Sequence, residues 1–477
     1  MAAEKTLSTS CFKAYDIRGR VPDELNEELA CRLGRAFAAF LRPEKVAVGR
    51  DARPSSRSLA AALSRGLNEG GADVLDLGLC GTEEVYFSTF HYQLDGGIMV
   101  TASHNPRGYN GMKLVRRESR PLSGDDGLPQ LRELVATAAF PDAPRPGRTA
   151  PLDFRPDYID HLLNYIEPSR LKPLKVVANA GNGTAGLVLD RLEKHLPFTM
   201  VKLLNEPDGS FPRGIPNPLL PENRSLTSQA VIDHQADVGL AWDGDFDRCF
   251  FFDERGRFIE GYYLVGLLAE NLLARHPGAT IVHDPRLTWN TMELVAENHG
   301  RARVSKTGHA FIKDTMREFD ALYGGEMSAH HYFRDFSYCD SGMIPWLLVL
   351  ELLSQSGRPL SALVDDRVRR FPVSGEINRR LADPRQAIAA VDKHFTDREE
   401  VRQRHHIDGL SLEFADWRFN LRSSNTEPLL RLNVESRGDR ELMERKTEEI
   451  LALLDEWEPG RSGTYKGEGN KINLSLT

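Results

Sequence analysis

Short apolar runs that alternate with segments of helical period constrain this chain more than any other feature. Lys45-Val46-Ala47-Val48-Gly49 and Ala72-Asp73-Val74-Leu75-Asp76-Leu77 read as strands, and Ser58 to Glu69 between them has helical spacing. That is the pattern of βαβ units, and it predicts an α/β fold with mixed sheets. At 477 residues the chain exceeds one ordinary core, and about 100 to 200 residues per domain gives three or four domains. Pro141 to Gly147 interrupts the alternation as a linker before Lys175-Val-Val-Ala-Asn179 begins a new unit. A hairpin pattern around Asp253 to Gly256 leads to a third α/β block from Gly261, with a strand at Thr280 to His283. The last block differs. Leu410 to Phe414, Trp417 to Leu421 and Leu430 to Val434 alternate as half-buried strands, and an amphipathic helix follows from Arg440 to about Trp457. We expect domains at 1–153, 154–256, 257–370 and 371–458, three α/β and a C-terminal α+β domain. Residues 459–477, with four glycines and few large apolar side chains, read as a flexible tail. No internal repeat is obvious.

Two motifs bring chemistry to strand ends. Thr101-Ala-Ser103-His104-Asn105-Pro106 follows the apolar strand Gly97 to Val100 and presents a hydroxyl on a turn, where open α/β proteins place their chemistry. A serine there can carry a phosphoryl group; from this motif alone a hydrogen-bonded structural turn reads equally well. Asp243-Gly-Asp245-Phe-Asp247-Arg248 sets three carboxylates at alternate positions, so that all can point one way. Such a cluster repels itself without a cation. Hard oxygen ligands suit Mg²⁺, and a phosphorylated Ser103 would add one more oxygen. A calcium loop would need a downstream bidentate glutamate that is missing, and a solvated acidic turn is the bland reading.

Composition narrows the partners. A net charge of −8 and a pI near 6.0 argue against nucleic acid or an anionic membrane as the main business of the surface. Cys11, Cys31, Cys80, Cys249 and Cys339 lack metal spacing, and their odd number fits a reduced cytoplasm. The most apolar run, Met343 to Leu353, is broken by Pro345 and Glu351 and is too short to span a bilayer. A soluble, cytoplasmic protein is expected. Gly181-Asn-Gly183-Thr-Ala-Gly186 matches a dinucleotide fingerprint, with Glu206 where a ribose-binding acid would sit. An NAD-dependent oxidoreductase is therefore a competing reading. Hydride transfer would need neither the Ser103 nor the Asp243 motif, so we read these glycines as a tight strand-to-helix turn.

Three further segments stand in order with these motifs: Tyr15-Asp16-Ile17-Arg18-Gly19, Gly325-Glu326-Met327-Ser328-Ala329-His330 and Arg422-Ser423-Ser424-Asn425-Thr426-Glu427. Together they resemble the α-D-phosphohexomutase superfamily, most closely its bacterial phosphomannomutases, from about Phe12 to about Glu456. The resemblance implies three domains of one topology and a fourth that opens and closes over a central cleft. It implies reversible conversion of mannose 6-phosphate and mannose 1-phosphate through a phosphoserine enzyme and a hexose 1,6-bisphosphate intermediate, supplying GDP-mannose and polysaccharide synthesis. Mg²⁺ would be the cofactor and glucose 1,6-bisphosphate, or another hexose 1,6-bisphosphate, the activator.

The resemblance also implies roles. Ser103 would be the phosphoserine and a metal ligand with Asp243, Asp245 and Asp247, and Arg248 would add a cationic donor. Lys113 matches the family's general acid/base lysine, with His309 at the same site. A free lysine titrates near 10.4, so a base role needs a lowered pKa, which Arg18 is expected to supply. Glu326 and Ser328 would contact sugar O3 and O4, with His330 on the same face. Arg422, Ser424, Asn425 and Thr426 would hold the phosphate that is not transferred, and Tyr15, Arg18 and Arg286 would stand at the site entrance. Two departures are visible. Ala329 replaces a glycine common in dual-specificity relatives, which could alter the loop, and Cys80-Gly-Thr-Glu-Glu84 replaces a Thr-Pro turn, to which no function attaches.

Two other classes compete: a metal-dependent phosphatase passing through phosphoserine, and a non-catalytic sugar-phosphate sensor. The intact motifs argue against the sensor, and release of inorganic phosphate would mark the phosphatase. Glucose and mannose share their configuration at O3 and O4, so dual-specificity or mainly phosphoglucomutase activity stays open. The expected partners are small-molecule hexose phosphates, without nucleic acid or membrane, for a monomer or weak dimer.

Overall fold

The computed structural model describes residues 8–124, 126–423 and 429–458. They fall into two compact units, one extending to Val368 and one beginning at Arg369. The expected 459–477 tail lies outside the described residues.

The first unit contains three sheets built on one plan. In each, three parallel strands pair with the first in the middle, and the chain then doubles back antiparallel beside the third. Lys45–Arg50 pairs with Asp73–Leu79 and Gly96–Val100, and Tyr109–Arg116 returns along the latter. Lys175–Asn179 pairs with Thr199–Leu203 and Val238–Trp242, and Cys249–Phe252 returns. Thr280–His283 pairs with Arg301–Val304 and Tyr323–Gly325, and His331–Phe333 returns. Gly96–Val100 and Val238–Trp242 are buried at every position, as unbroken apolar strands inside a sheet must be. The shared plan agrees with the topology that the resemblance implied.

Helices cover the sheets for ordinary reasons. In Glu27–Leu41, Asn26 Oδ1 accepts from Leu29 N at 3.0 Å, and two glutamates occupy the first turn. Its apolar face packs on Ser56–Glu69 through Leu29, Leu33 and Phe37 against Leu59, Leu63 and Leu67. Burial of each such side chain is worth about 1.5–3 kcal/mol. The linker at Pro141 to Gly147 leads into Thr149–Pro151, which joins the edge of the first sheet beside Asp73–Leu79.

The second unit is an antiparallel sheet in the order Ile377–Arg379, Leu430–Ser436, Trp417–Ser423, Leu410–Glu413, Gln403–His405. Helices Pro384–Thr396 and Arg440–Asp455 pack on it around Phe395, Trp417, Phe419 and Ile450. All five cysteines are free, and no helix among the described residues is long and apolar enough to cross a membrane.

Candidate active site

The shared plan places the chemistry. In each sheet of the first unit, a sequence-predicted loop occupies the link between the third parallel strand and the returning one: Thr101–Gly108, Asp243–Arg248 and Glu326–His330. Strand C-termini are where open α/β sheets bind ligands.

Ser103 sits in left-handed backbone, φ 48°. Its N–H donates to Thr101 Oγ1 at 2.9 Å and its Oγ donates to Asp243 Oδ2 at 2.8 Å. Arg53 holds the loop from beneath, its guanidinium donating to the carbonyls of Ser103 and Tyr109 at 2.9 Å, Pro106 at 2.9 Å and Asn105 at 2.6 Å. Asp51 lies beside Arg53 and accepts from Ser56 and Thr101. Arg18 adds a bond to Asn105 Oδ1 at 2.7 Å. His104 Nδ1 lies 2.6 Å from Arg248 Nη2; arginine can only donate, so this nitrogen accepts and the ring is neutral. Burial, then Arg248 and Arg18, hold its pKa well below the usual histidine range.

Asp243, Asp245 and Asp247 are buried with oxygens within 4.8 Å of one another. Arg248 pairs with Asp243 at 2.7 Å. Burial pushes the Asp243 carboxyl up to about 6 against the pull of Arg248. Asp247 is at about 2, because Lys113 and then His330 outweigh its burial. Asp245 Oδ1 and Asp247 Oδ1 are buried without a hydrogen-bond partner. Three converging carboxylates with two spare buried oxygens fit a hard divalent cation.

Lys113 differs from expectation. Its Nζ lies 2.7 Å from Asp245 Oδ2 and 2.5 Å from Asp247 Oδ2. Burial lowers its pKa, but the two carboxylates outweigh burial and Arg18 together, so Lys113 titrates above the ordinary lysine range. The lowered value that a resting base requires is not found.

In the third loop, Arg286 is the hub. Asp284 fixes it from Oδ1 to Nε at 3.0 Å and from Oδ2 to Nη2 at 2.9 Å, and the same Oδ2 accepts from Met327 N at 2.8 Å. Arg286 Nη2 then reaches Ser328 Oγ at 3.3 Å and Glu326 Oε1 at 3.6 Å, so both predicted sugar residues converge on one cation. Glu326 also accepts from Gly308 N and Tyr332 Oη. Ala329 adopts φ 68°, the left-handed conformation that the commoner glycine would take without strain. His330 Nδ1 lies 3.2 Å from Asp340, whose other oxygen meets the buried Lys313 Nζ at 2.6 Å. His330, Asp340 and Asp247 offer atoms within 4.8 Å of one another, so the second and third loops meet. His309 opens helix His309–Glu318, and burial holds it neutral, at about 3. Tyr15 sets its ring edge-on to His309 at 6.1 Å and Phe311 at 5.9 Å.

In the second unit, Arg422 donates to Glu376 at 3.1 Å and lies opposite Arg431, which reaches the same carboxylate at 3.4 Å. Ser424, Asn425 and Thr426 lie outside the described residues. The glycine fingerprint serves packing: a Cβ at Gly183 would stand 2.6 Å from the Gly244 carbonyl oxygen, so that turn presses on the Asp243–Arg248 loop.

Residues to which the sequence reading gave no role include Arg53, Thr82, His104, Asp284 and Asp340. Arg53, Thr82 and Asp284 all follow strands, the signal that found Ser103.

Comparison with known proteins gives matches to one family along the chain. Residues 9–141, 156–256 and 260–371 match phosphoglucomutase/phosphomannomutase α/β/α domains I, II and III, and 376–453 match its C-terminal domain. A phosphomannomutase of Salmonella montevideo is 60% identical over 454 residues, 94% of this chain and 99% of that one. A protein of Xanthomonas campestris pv. campestris named "Phosphohexose mutases" is 59% identical over 452 residues, covering 94% and 100%. The crystal structure of a phosphoglucomutase/phosphomannomutase family protein from Burkholderia thailandensis superposes with a TM-score of 0.86 at 33% identity, over 95% of this chain and 99% of that one.

Proposed function

This chain belongs to the phosphoglucomutase/phosphomannomutase family, and from that premise we propose that it interconverts mannose 6-phosphate and mannose 1-phosphate. It is an isomerase of the phosphohexomutase class. The observation that carries the reading is Ser103 Oγ, 2.8 Å from Asp243, on a loop that Arg53 pins by four carbonyls beside three buried carboxylates. Pinned backbone leaves the hydroxyl a single address, which is what a phosphoryl carrier needs.

In the proposed cycle, phosphorylated Ser103 faces a sugar hydroxyl at O1 or O6. That oxygen bonds to phosphorus, the bond to Ser103 Oγ breaks, and the resulting 1,6-bisphosphate turns over and returns its other phosphate to Ser103. Asp243, Asp245, Asp247 and Ser103 would hold Mg²⁺, which when bound offsets charge on the transferring group. Lys113, charged between Asp245 and Asp247, fits the group that gives a proton to the leaving oxygen and takes up the one the attacking hydroxyl releases, so that each transfer returns it to its charged form. Glu326, Ser328, His330 and Arg286 would read the sugar; Arg422, Ser424, Asn425 and Thr426 would hold the idle phosphate; Tyr15, Arg18, His309 and Arg248 complete the site. A hexose 1,6-bisphosphate would prime the dephosphorylated enzyme. The domain limits at 153, 256 and 370, a cytoplasmic location and a monomer or weak dimer belong to the same proposal. Glucose and mannose share their configuration at O3 and O4, which favours glucose phosphates as second substrates.

The test is ³¹P NMR of the protein with Mg²⁺, a trace of glucose 1,6-bisphosphate, and mannose 1-phosphate or glucose 1-phosphate. We expect the 6-phosphate from mannose 1-phosphate, a slower conversion of glucose 1-phosphate, and neither from Ser103→Ala. Accumulating inorganic phosphate would replace the mutase with a phosphatase.

A further inference from the structure

The turn Cys80-Gly81-Thr82-Glu83-Glu84, a departure from the family pattern, lies against the metal loop. Thr82 N donates to the Asp245 carbonyl at 3.1 Å and Thr82 Oγ1 to Asp245 Oδ2 at 2.5 Å. Lys113 Nζ also reaches Thr82 Oγ1, at 3.3 Å. From the far side, Gly342 presses on the same loop: a Cβ there would stand 2.3 Å from the Phe246 carbonyl oxygen, and its own carbonyl accepts from Trp242 Nε1 at 2.9 Å. Glu83 joins the two sides. Its carboxyl is fully buried, with Tyr158 Oη 2.5 Å and Ser341 Oγ 2.8 Å from Oε1. The N–H groups of Gly342 and Met343 donate to Oε2 at 2.5 and 3.2 Å. Ser341 Oγ in turn accepts from Met343 N and Ile344 N, where helix Ile344–Ser356 begins.

We propose that Glu83 is a positioning residue for the metal loop: its carboxyl ties the Thr82 turn to the Ser341–Met343 turn, closing a collar around residues 242–248 that sets Asp245 through Thr82. Glu83 touches neither substrate nor metal ligand. Every partner it has is neutral, so the tie needs geometry rather than charge. Burial pushes its pKa up to about 8, which leaves the proton on Oε1 near neutrality while Oε2 accepts from backbone. Glutamine keeps most of that pattern, with NH₂ toward Tyr158 Oη and its carbonyl oxygen toward the two N–H groups, and loses the bond that Oε1 accepts from Ser341 Oγ. A Thr-Pro turn, which lacks this carboxyl, would have to hold the loop by other contacts.

The proposal rests on the metal reading of Asp243, Asp245 and Asp247, and the experiment separates the two. Mg²⁺ binding is measured by calorimetry on the whole enzyme, and the Mg²⁺ dependence of turnover beside it. We expect Glu83→Ala and Thr82→Val each to raise the half-saturating Mg²⁺ concentration by about tenfold, with turnover at saturating Mg²⁺ lowered far less; each tenfold corresponds to 1.4 kcal/mol. Glu83→Gln and Thr82→Ser should stay within about threefold of the parent, because serine keeps the hydroxyl and glutamine keeps the bonds to Tyr158, Gly342 and Met343. The Glu83→Ala/Thr82→Val double variant should be less than additive, since both act on one oxygen of Asp245. A loss of thermal stability in Glu83→Ala with unchanged half-saturation would reduce Glu83 to a structural residue. Should Glu83→Ala fail to fold, unchanged half-saturation in Thr82→Val would overturn the proposal by itself. A parent enzyme that binds no Mg²⁺ would instead sink the metal reading beneath it.

Discussion

Between Asp245 and Asp247 the Lys113 ammonium neutralises the carboxylates that a divalent cation would also neutralise, with one charge in place of two. It is a tethered competitor. Lys113→Met, of similar length, leaves two buried carboxylates facing each other with less neutralisation, which raises their hunger for a cation. We expect Mg²⁺ affinity to rise by about three- to tenfold and turnover to fall by about a hundredfold or more, opposite signs in two readouts. Calorimetry and steady-state kinetics on one preparation check both, and a fall in Mg²⁺ affinity would contradict the account. Roles of this kind were hard to read from sequence because they depend on distance. Lys113 was expected to carry a lowered pKa from Arg18, whereas its two nearest charges are carboxylates. Arg53 was missed for a related reason: its partners are mainly carbonyl oxygens, which every residue has.

The elements repeat even where the residues do not. Three loops of unrelated sequence occupy one place in three sheets, and the turn before Gly186 supports the middle one. Adding a methyl at Gly183 brings carbon against the Gly244 carbonyl, where backbone has to yield. Gly183→Ala is therefore expected to cost about 1–3 kcal/mol of stability and to weaken Mg²⁺ binding. Thermal unfolding and the Mg²⁺ titration measure the two effects; an unmoved metal affinity would show that the turn does not brace the loop. Elements were largely legible in the sequence. Strands Lys175–Asn179 and Thr280–His283 have the expected limits, and the helix expected from Ser58 starts two residues earlier, at Ser56. Periodicity carried these readings. The common plan of the three sheets was not visible in the residues, because strand order is set by crossovers and leaves no spacing in the chain. It came from the resemblance.

At the scale of the whole molecule, Glu83 links stability to pH. Its pKa rises from an ordinary 4.5 to about 8 on folding, so the folded protein binds more protons than the unfolded chain between those values. The stability this contributes is complete below about pH 4.5 and is lost as pH rises through 8. Tyr158 and Cys249 beside it are themselves pushed up by burial and stay neutral across that window, and Glu84 is paired with Arg155. Glu83→Gln has no proton to lose. Its melting temperature relative to the parent should therefore climb by several degrees from the acid to the alkaline end of the window, and parallel curves would refute the linkage. The shared plan of the three sheets also sets where this molecule can vary. A loop anchored by a strand at each end can be rewritten without re-registering the sheet behind it, as a lock is rekeyed without replacing its barrel. The chain has three such keyways, and on the proposed roles a change of sugar at O3 or O4 belongs in the one from Glu326 to His330, with the other two left as cut.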